Sequence, residues 1–596
     1  MSFNGIPDRE DKNMRIASVV LSLFLLSTPV VFALAPGDKV DNFKLLDHTG
    51  KMHELYYLRD MKAVVLMVHG NGCPIARNAL HTYKDLRDQY GDKDVAFLMI
   101  NSNLQDNRHS IAKEAEEFGI DFPILVDDTQ IIGESLRIER TADTFIIDPL
   151  TWEILYRGAL DDRLGYETQK VKAANNYVAD ALDAVLAGQA ITVAATEVKG
   201  CIVNLPDLDR REAHKTISYA EEVAPIFIDK CLTCHREGGI GPFAMQEYNV
   251  IKGFAPMIRE VVRTKRMPPW HADPHIGDYA NDRALTDQEI QTLVHWIEAG
   301  SPRGQGSDPL AEYQHDWPQW AMGEPDAIID IPAIDVPATG VVDYKYIDVT
   351  NPLAHDVWLK AVQILPGARE VLHHSVISLT GKTSEGRMLR GSLPGYAPGD
   401  AGYVMPEDTG ILLPKGATIQ FQMHYTTYGK PATDRSRYGL YFHADKPKYS
   451  LETQYMANPA LKIPANTKEY WDQSTITIRD DMMLYSLIPH AHFRGKAASF
   501  TAEYPDGQQE ILLSVPNYDF NWQSTYFFEE PKVLPAGSKV TLNMAWDNSS
   551  LNPANPDPNI DVRWGEQSWE EMLFGALRFR ILDEDESATK QELTKH

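Results

Sequence analysis

The sequence predicts a multidomain chain that passes through three fold classes: α/β first, then all-α, then all-β. Two observations carry this. At 596 residues the chain is longer than one hydrophobic core can organise. Its hydrophobic periodicity also changes twice. Short β-rich runs alternate with helical stretches to about residue 196, and helical periodicity dominates from 217 to about 300. Short alternating runs broken by Pro-Gly, Asp-Gly and Ala-Gly turns then continue to 582.

The N-terminus reads as an export segment. Lys12 and Arg15 precede an apolar run over 16–34 whose only polar interruptions are Ser and Thr. Cleavage is expected after Ala33, because Pro36 disfavours cleavage after Ala35. Residues 1–35 are therefore expected to be a signal peptide or a retained membrane anchor, with the rest of the chain periplasmic or on the outer face of the inner membrane. The 84 acidic against 57 basic residues give a net charge of −27, which excludes nucleic acid as a main partner.

Within 36–205, strands are expected at 64–69, 95–100, 122–126 and 144–148, and helices at 76–90 and 110–118. A mainly helical domain is expected over 206–305, followed by a linker over 306–330. Two all-β sandwiches in tandem are expected at 331–465 and 466–582, and a charged tail at 583–596.

The strongest local signal is Cys231-Leu-Thr-Cys234-His235. Two thiols spaced by two residues on a helical turn can form thioethers to the haem vinyl groups, while the adjacent imidazole reaches the iron. A chance match and a redox-active dithiol are the other readings of the same residues. The lead-in at 219–227, the Gly-rich stretch 238–242 and the helix at 287–299 resemble a small class I cytochrome c domain. The resemblance implies covalent haem c with His235 as one axial ligand. Met267, in Arg266-Met267-Pro268-Pro269-Trp270, is the expected second one, with Met245, Met257, His271 and His275 as competitors.

Four features stand out in the β region: His373-His374, His424 within Gln422-Met423-His424-Tyr425, His490-Ala491-His492, and Glu571-Met572. Strand residues two apart share a side, so His490 and His492 can converge on one ion. Adjacent His373 and His374 need a bulge or strand end to do so. In this order the residues resemble the two-copper ascorbate-dependent monooxygenases, the family of peptidylglycine alpha-hydroxylating and dopamine beta-monooxygenases; Trp546-Asp547-Asn548-Ser549 adds to the likeness. The resemblance implies tandem jelly-roll sandwiches. It assigns one electron-transfer copper to His373, His374 and His424, and an O2-binding catalytic copper to His490, His492 and Met572. Soft thioether ligation favours Cu(I), whereas three imidazoles suit cycling between oxidation states. Ile488, Phe574 and Ala576 replace the Arg, Asn and Tyr with which the peptide-hydroxylating members hold a carboxylate, so a small or apolar organic substrate is expected instead. The family's disulfides are also missing, because no cysteine follows Cys234.

The run from Val64 to Cys73-Pro74 resembles the strand-to-helix active-site turn of redoxins with a thioredoxin-like fold, as do Tyr156-Arg157-Gly158 and Lys199-Gly200-Cys201. Ala76 stands where a second CxxC cysteine would be, and Ala142 where the usual cis-proline would be. Cys73, at a helix N-terminus, is expected to have a stabilised thiolate. Cys201 is expected to pair with it, either as a resolving partner or in a structural disulfide.

Together these features predict an exported monooxygenase that uses O2, with haem c relaying electrons from a periplasmic donor to two copper ions. An electron-transfer or copper-holding protein, and a thiol peroxidase or reductase centred on Cys73, are the competing expectations.

Overall fold

The computed structural model describes residues 34–583 apart from 167–168, 209–210, 316 and 384. Residues 1–33 of the expected export segment (1–35) and 584–596 of the expected tail (583–596) lie outside the described residues. Among the described residues no helix is long and apolar enough to cross a membrane.

The α/β region is built on a five-stranded sheet in the order Ile124–Val126, Val95–Asn101, Ala63–Val68, Thr144–Ile147, Ile154–Gly158. The first three strands are parallel and the last two antiparallel. Ala63–Val68 is buried along its whole length, as a central strand covered on both faces must be. One face packs on the helices Pro74–Tyr90, Arg108–Glu117 and Tyr177–Leu186. The other face continues into the helical region, where Val64, Leu66 and Val68 belong to the same apolar cluster as Tyr219, Phe227, Ile251 and Trp296. The break in periodicity near residue 205 is thus a break in secondary structure and not in the core.

The helical region contains Ala224–Lys230, Tyr248–Arg263 and Asp287–Glu298. The last is closed by a Thr286/Glu289 capping box. Residues 264–285 depart from the mainly helical expectation: Trp270 and Tyr279 are buried in the core of the distant C-terminal sandwich. Ala280 N donates to Phe527 O at 2.9 Å, and Asp273 N to Ser514 O at 2.9 Å. Burying two aromatic side chains explains why this stretch forgoes helix.

The β-rich remainder forms two sandwiches. In the first, a sheet ordered Lys345–Thr350, Thr418–Tyr425, Leu372–Lys382, Met388–Tyr396 faces one centred on Val357–Leu365 and Arg437–Phe442. In the second, a sheet ordered Glu452–Ala457, Phe574–Ile581, Met482–His490, Tyr526–Leu534 faces one ordered Tyr470–Thr477, Lys539–Trp546, Gly495–Glu503, Gln509–Val515. Both boundaries shift from the sequence expectation. Ala327–Asp330 pairs with Arg437–Phe442, so the first sandwich recruits part of the expected linker. Glu452–Ala457 pairs with Phe574–Ile581, so the second begins before residue 466. Pairing with a strand more than 100 residues away leaves no local trace in the sequence.

Candidate functional site

Cys73 caps the Pro74–Tyr90 helix and is buried. The turn before it is fixed by Glu114, which accepts from Gly72 N at 3.0 Å and pairs with Arg77 at 2.8 Å. Facing Cys73 is the segment bearing Cys201, held to residues 140–141 by Thr141 N donating to Cys201 O at 2.9 Å and Arg140 Nη1 to Gly200 O at 2.9 Å. The two Sγ atoms lie 2.6 Å apart. Thr141 Oγ1 accepts from Cys201 N at 3.0 Å and sits 2.9 Å from Cys73 Sγ, so its own proton is free to point at that sulfur. Burial raises the Cys73 thiol, but hydrogen bonds from Cys201, Thr141 and the backbone outweigh it and leave Cys73 below the ordinary thiol range. Burial and the Cys73 charge push the exposed Cys201 up to about 11. That asymmetry suits Cys73 as attacking thiolate and Cys201 as its partner. Ala142 holds φ +63 and its N–H donates to Val68 O at 2.7 Å. Thr141 is the functional residue the sequence reading missed; its place directly before Ala142 was the available signal.

In the Cys231–His235 segment, His235 N donates to Cys231 O at 2.9 Å. His235 Nδ1 lies 3.1 Å from Phe243 O. With Nδ1–H given to that carbonyl, Nε2 carries the lone pair, the arrangement of an orientated metal-binding imidazole. Gly241 packs so tightly on the ring that a Cβ there would come within 2.7 Å of it. Burial pushes the Cys231 thiol up to about 12 and raises that of Cys234. A catalytic dithiol needs the opposite, a depressed thiol. Met267 is half-buried where the chain leaves the Tyr248–Arg263 helix. Of its competitors, Met245 is buried in the apolar cluster shared with the α/β sheet, Met257 is exposed, and His275 is bonded to Asp273. His271 is buried, which pushes it down to about 4.

The β-region histidines come together from both sandwiches. His374 stands opposite His424 on paired strands, and the pairing register shifts between Leu372 and His374, the irregularity that adjacent histidines require. His373 Nδ1 and His374 Nδ1 are 2.7 Å apart, and the His374 and His424 ring centres 6.0 Å. His374 Nε2 and both nitrogens of His424 are buried without a partner. Across the cavity, the His490 and His492 rings are 5.1 Å apart. His490 pairs with Phe574, and Met572 lies two residues before the start of that neighbouring strand. His492 Nδ1 lies 3.3 Å from Glu570 O. Fully buried Glu571 accepts from His492 N at 2.9 Å, Arg494 N at 2.6 Å and Trp546 Nε1 at 3.1 Å. No three His, Cys, Asp or Glu side chains among the described residues are drawn into one closed cluster.

His374, His424, His490, His492 and Met572 line one cavity of about 340 Å³. Ile488, Phe574 and Ala576 line it too and make that part of its wall apolar. Tyr344 stacks on His424 at 3.5 Å between ring centres and meets His492 edge-on at 6.5 Å. Phe520 lies about 6 Å from the His373, His374 and His492 rings. Neither aromatic stands in a motif, so no local pattern points to them.

Residues 36–152 match the AhpC/TSA family. A stretch of 116 residues, 20% of this chain, is 29% identical to the thiol-disulfide oxidoreductase ResA of Geobacillus kaustophilus and 28% identical to that of Geobacillus thermodenitrificans. It spans 65% of the length of those relatives. Among solved structures, an uncharacterized conserved protein from Geobacillus kaustophilus is 30% identical, covering 28% of this chain and 92% of its own, with a TM-score of 0.26. By the family match, residues 36–152 are a redoxin-like, thioredoxin-like domain of AhpC/TSA type.

Proposed function

We propose that the chain is an exported oxidoreductase in which haem c, held by Cys231, Cys234, His235 and Met267, relays electrons to two copper ions for O2-dependent hydroxylation of a small, largely apolar substrate. One observation carries the reading. Four imidazoles and a thioether from two sandwiches line a single cavity, the fifth imidazole, His373, lies against His374, and three of the imidazole nitrogens are buried with no partner. A buried unsatisfied polar group costs about 1–3 kcal/mol, and metal ligation would remove that cost. The donor sets fit copper: His373, His374 and His424 offer nitrogen only, whereas Met572 adds soft sulfur to His490 and His492. When bound, the haem would supply single electrons and the copper ions O2 activation.

The chain's own residues do the remaining work. Glu571 anchors the backbone on either side of His492 and beside Met572. The Glu570 carbonyl orients the His492 ring. Ile488, Phe574 and Ala576 keep the substrate wall apolar and exclude water. Iron and copper counts per mature chain, with O2 uptake during haem oxidation, test the reading. One iron and two coppers with coupled uptake are expected. No haem, or at most one copper, would refute it, and metals without O2 uptake would leave a copper-holding or electron-transfer protein.

A second reading concerns the N-terminal domain and is compatible with the first. The 2.6 Å approach of Cys73 and Cys201, with unequal thiol acidities, favours thiol-disulfide or peroxide chemistry at Cys73. Reduction of a model disulfide or peroxide that survives loss of the copper ligands but not Cys73→Ser would support it.

A further inference from the structure

The two candidate metal regions meet at the turn over residues 394–400. Met388–Tyr396 pairs with Leu372–Lys382, which sets Tyr396 opposite Ser375, the neighbour of His374. Beyond Tyr396 the chain turns through Gly399 at φ +88. A Cβ at Gly399 would stand 3.2 Å from Cys234 Sγ and 2.9 Å from Arg283 Nη1, so the CxxCH segment rests directly on this turn. Arg283 Nη2 reaches Gly399 O at 3.5 Å and Asp400 at 3.8 Å, and Asp400 accepts from Ala397 N at 2.9 Å. Tyr396 is buried, with Arg369, Asp400 and Cys234 around its phenol; burial pushes it up to about 12, so it stays neutral. Tyr396, Asp400, His374 and His424 line the same cavity.

We infer that Tyr396 and the Gly399 turn form the contact through which the Cys234 edge of the haem site passes electrons to the His373, His374 and His424 set, making that set the entry point. The inference rests on the function proposed above. One electron leaves ferrous haem iron, which becomes ferric, and reduces one cupric ion to cuprous; no bond or proton moves. With consecutive Cα atoms about 3.8 Å apart and paired strands about 5 Å apart, the backbone route from Gly399 to His374 is no more than about 20 Å. It runs through packed protein throughout.

The test uses full-length protein with analysed iron and copper, fully oxidised and free of O2. A photochemical pulse reduces a fraction of the haem. Ferrous haem is then followed by its visible absorption, and Cu(II) by electron paramagnetic resonance. The parent should reoxidise its haem at a rate independent of protein concentration, with matching loss of Cu(II) signal. Tyr396→Leu and Gly399→Ala should each slow this about tenfold or more at unchanged metal content. Tyr396→Phe, which keeps the ring, should stay within about threefold, and His373→Ala should leave the haem reduced. If one slowing variant fails to load metal, the other decides. Parent rates in Tyr396→Leu and Gly399→Ala, or a parent rate proportional to protein concentration, would overturn the route while leaving the metal assignment standing. Absence of haem or copper from the parent would overturn both.

Discussion

Replacing Thr141 by Val isolates one hydrogen bond at the Cys73 centre. Thr141 Oγ1 already accepts from Cys201 N, so its hydroxyl proton is the one directed at Cys73 Sγ, 2.9 Å away. Valine keeps the shape and removes that donor. A hydrogen bond to a charged group contributes about 1.5–3 kcal/mol, so the thiolate population below the thiol's titration midpoint should fall roughly tenfold to a hundredfold. The thiolate that remains is more basic and more nucleophilic. With a Brønsted coefficient of about 0.4–0.5, the net loss of alkylation rate should be about 3- to 16-fold. The sign in pH follows. Cys73 is depressed in the folded protein, so its alkylation should level off at a lower pH than that of a free cysteine. In Thr141→Val the plateau should move to higher pH. Alkylation of reduced protein, followed at Cys73 by peptide mass spectrometry across pH, reads both quantities. An unchanged profile would refute the donor role of Thr141.

Replacing Cys231 and Cys234 together by Ala should abolish haem that resists acid-acetone extraction, and Met267→Ala should remove the weak sulfur-to-iron absorption band of the ferric haem; persistence of either signal would transfer the role elsewhere. Met572→His should retain two coppers yet lose carbon monoxide binding by Cu(I), read by infrared spectroscopy, and retained CO binding would refute the division between the two sets. Copper at about a hundred times its dissociation constant should stabilise the protein to denaturant by about 2.7 kcal/mol, and His424→Phe should abolish part of that gain; an equal gain in the variant would exclude His424 as a ligand. Trp270→Ala should cost about 3–5 kcal/mol of stability, because the side chain packs against Tyr279 and Tyr526 in the second sandwich's core, and a loss under about 1 kcal/mol would show that this anchor carries no stability.

The amino-acid sequence alone carries the succession of α/β, helical and β regions, because hydrophobic periodicity is local and survives in any window of a dozen residues. It also determined the candidate donors, since CxxCH, His-His and His-x-His are patterns of near neighbours, and even the irregularity at His373 followed from the alternation of strand side chains. Tertiary structure decided the rest. Cys201 reaches Cys73 across 128 residues because its segment pairs with residues 140–141. The helical region shares its core with the α/β sheet, and Trp270 is committed to a sandwich more than 150 residues further along the chain. The histidines of two sandwiches face one cavity, and Cys234 rests on the turn that leads to His374. These are contacts between segments that are each locally unremarkable, chosen by which apolar faces bury one another, and no spacing within the chain encodes them.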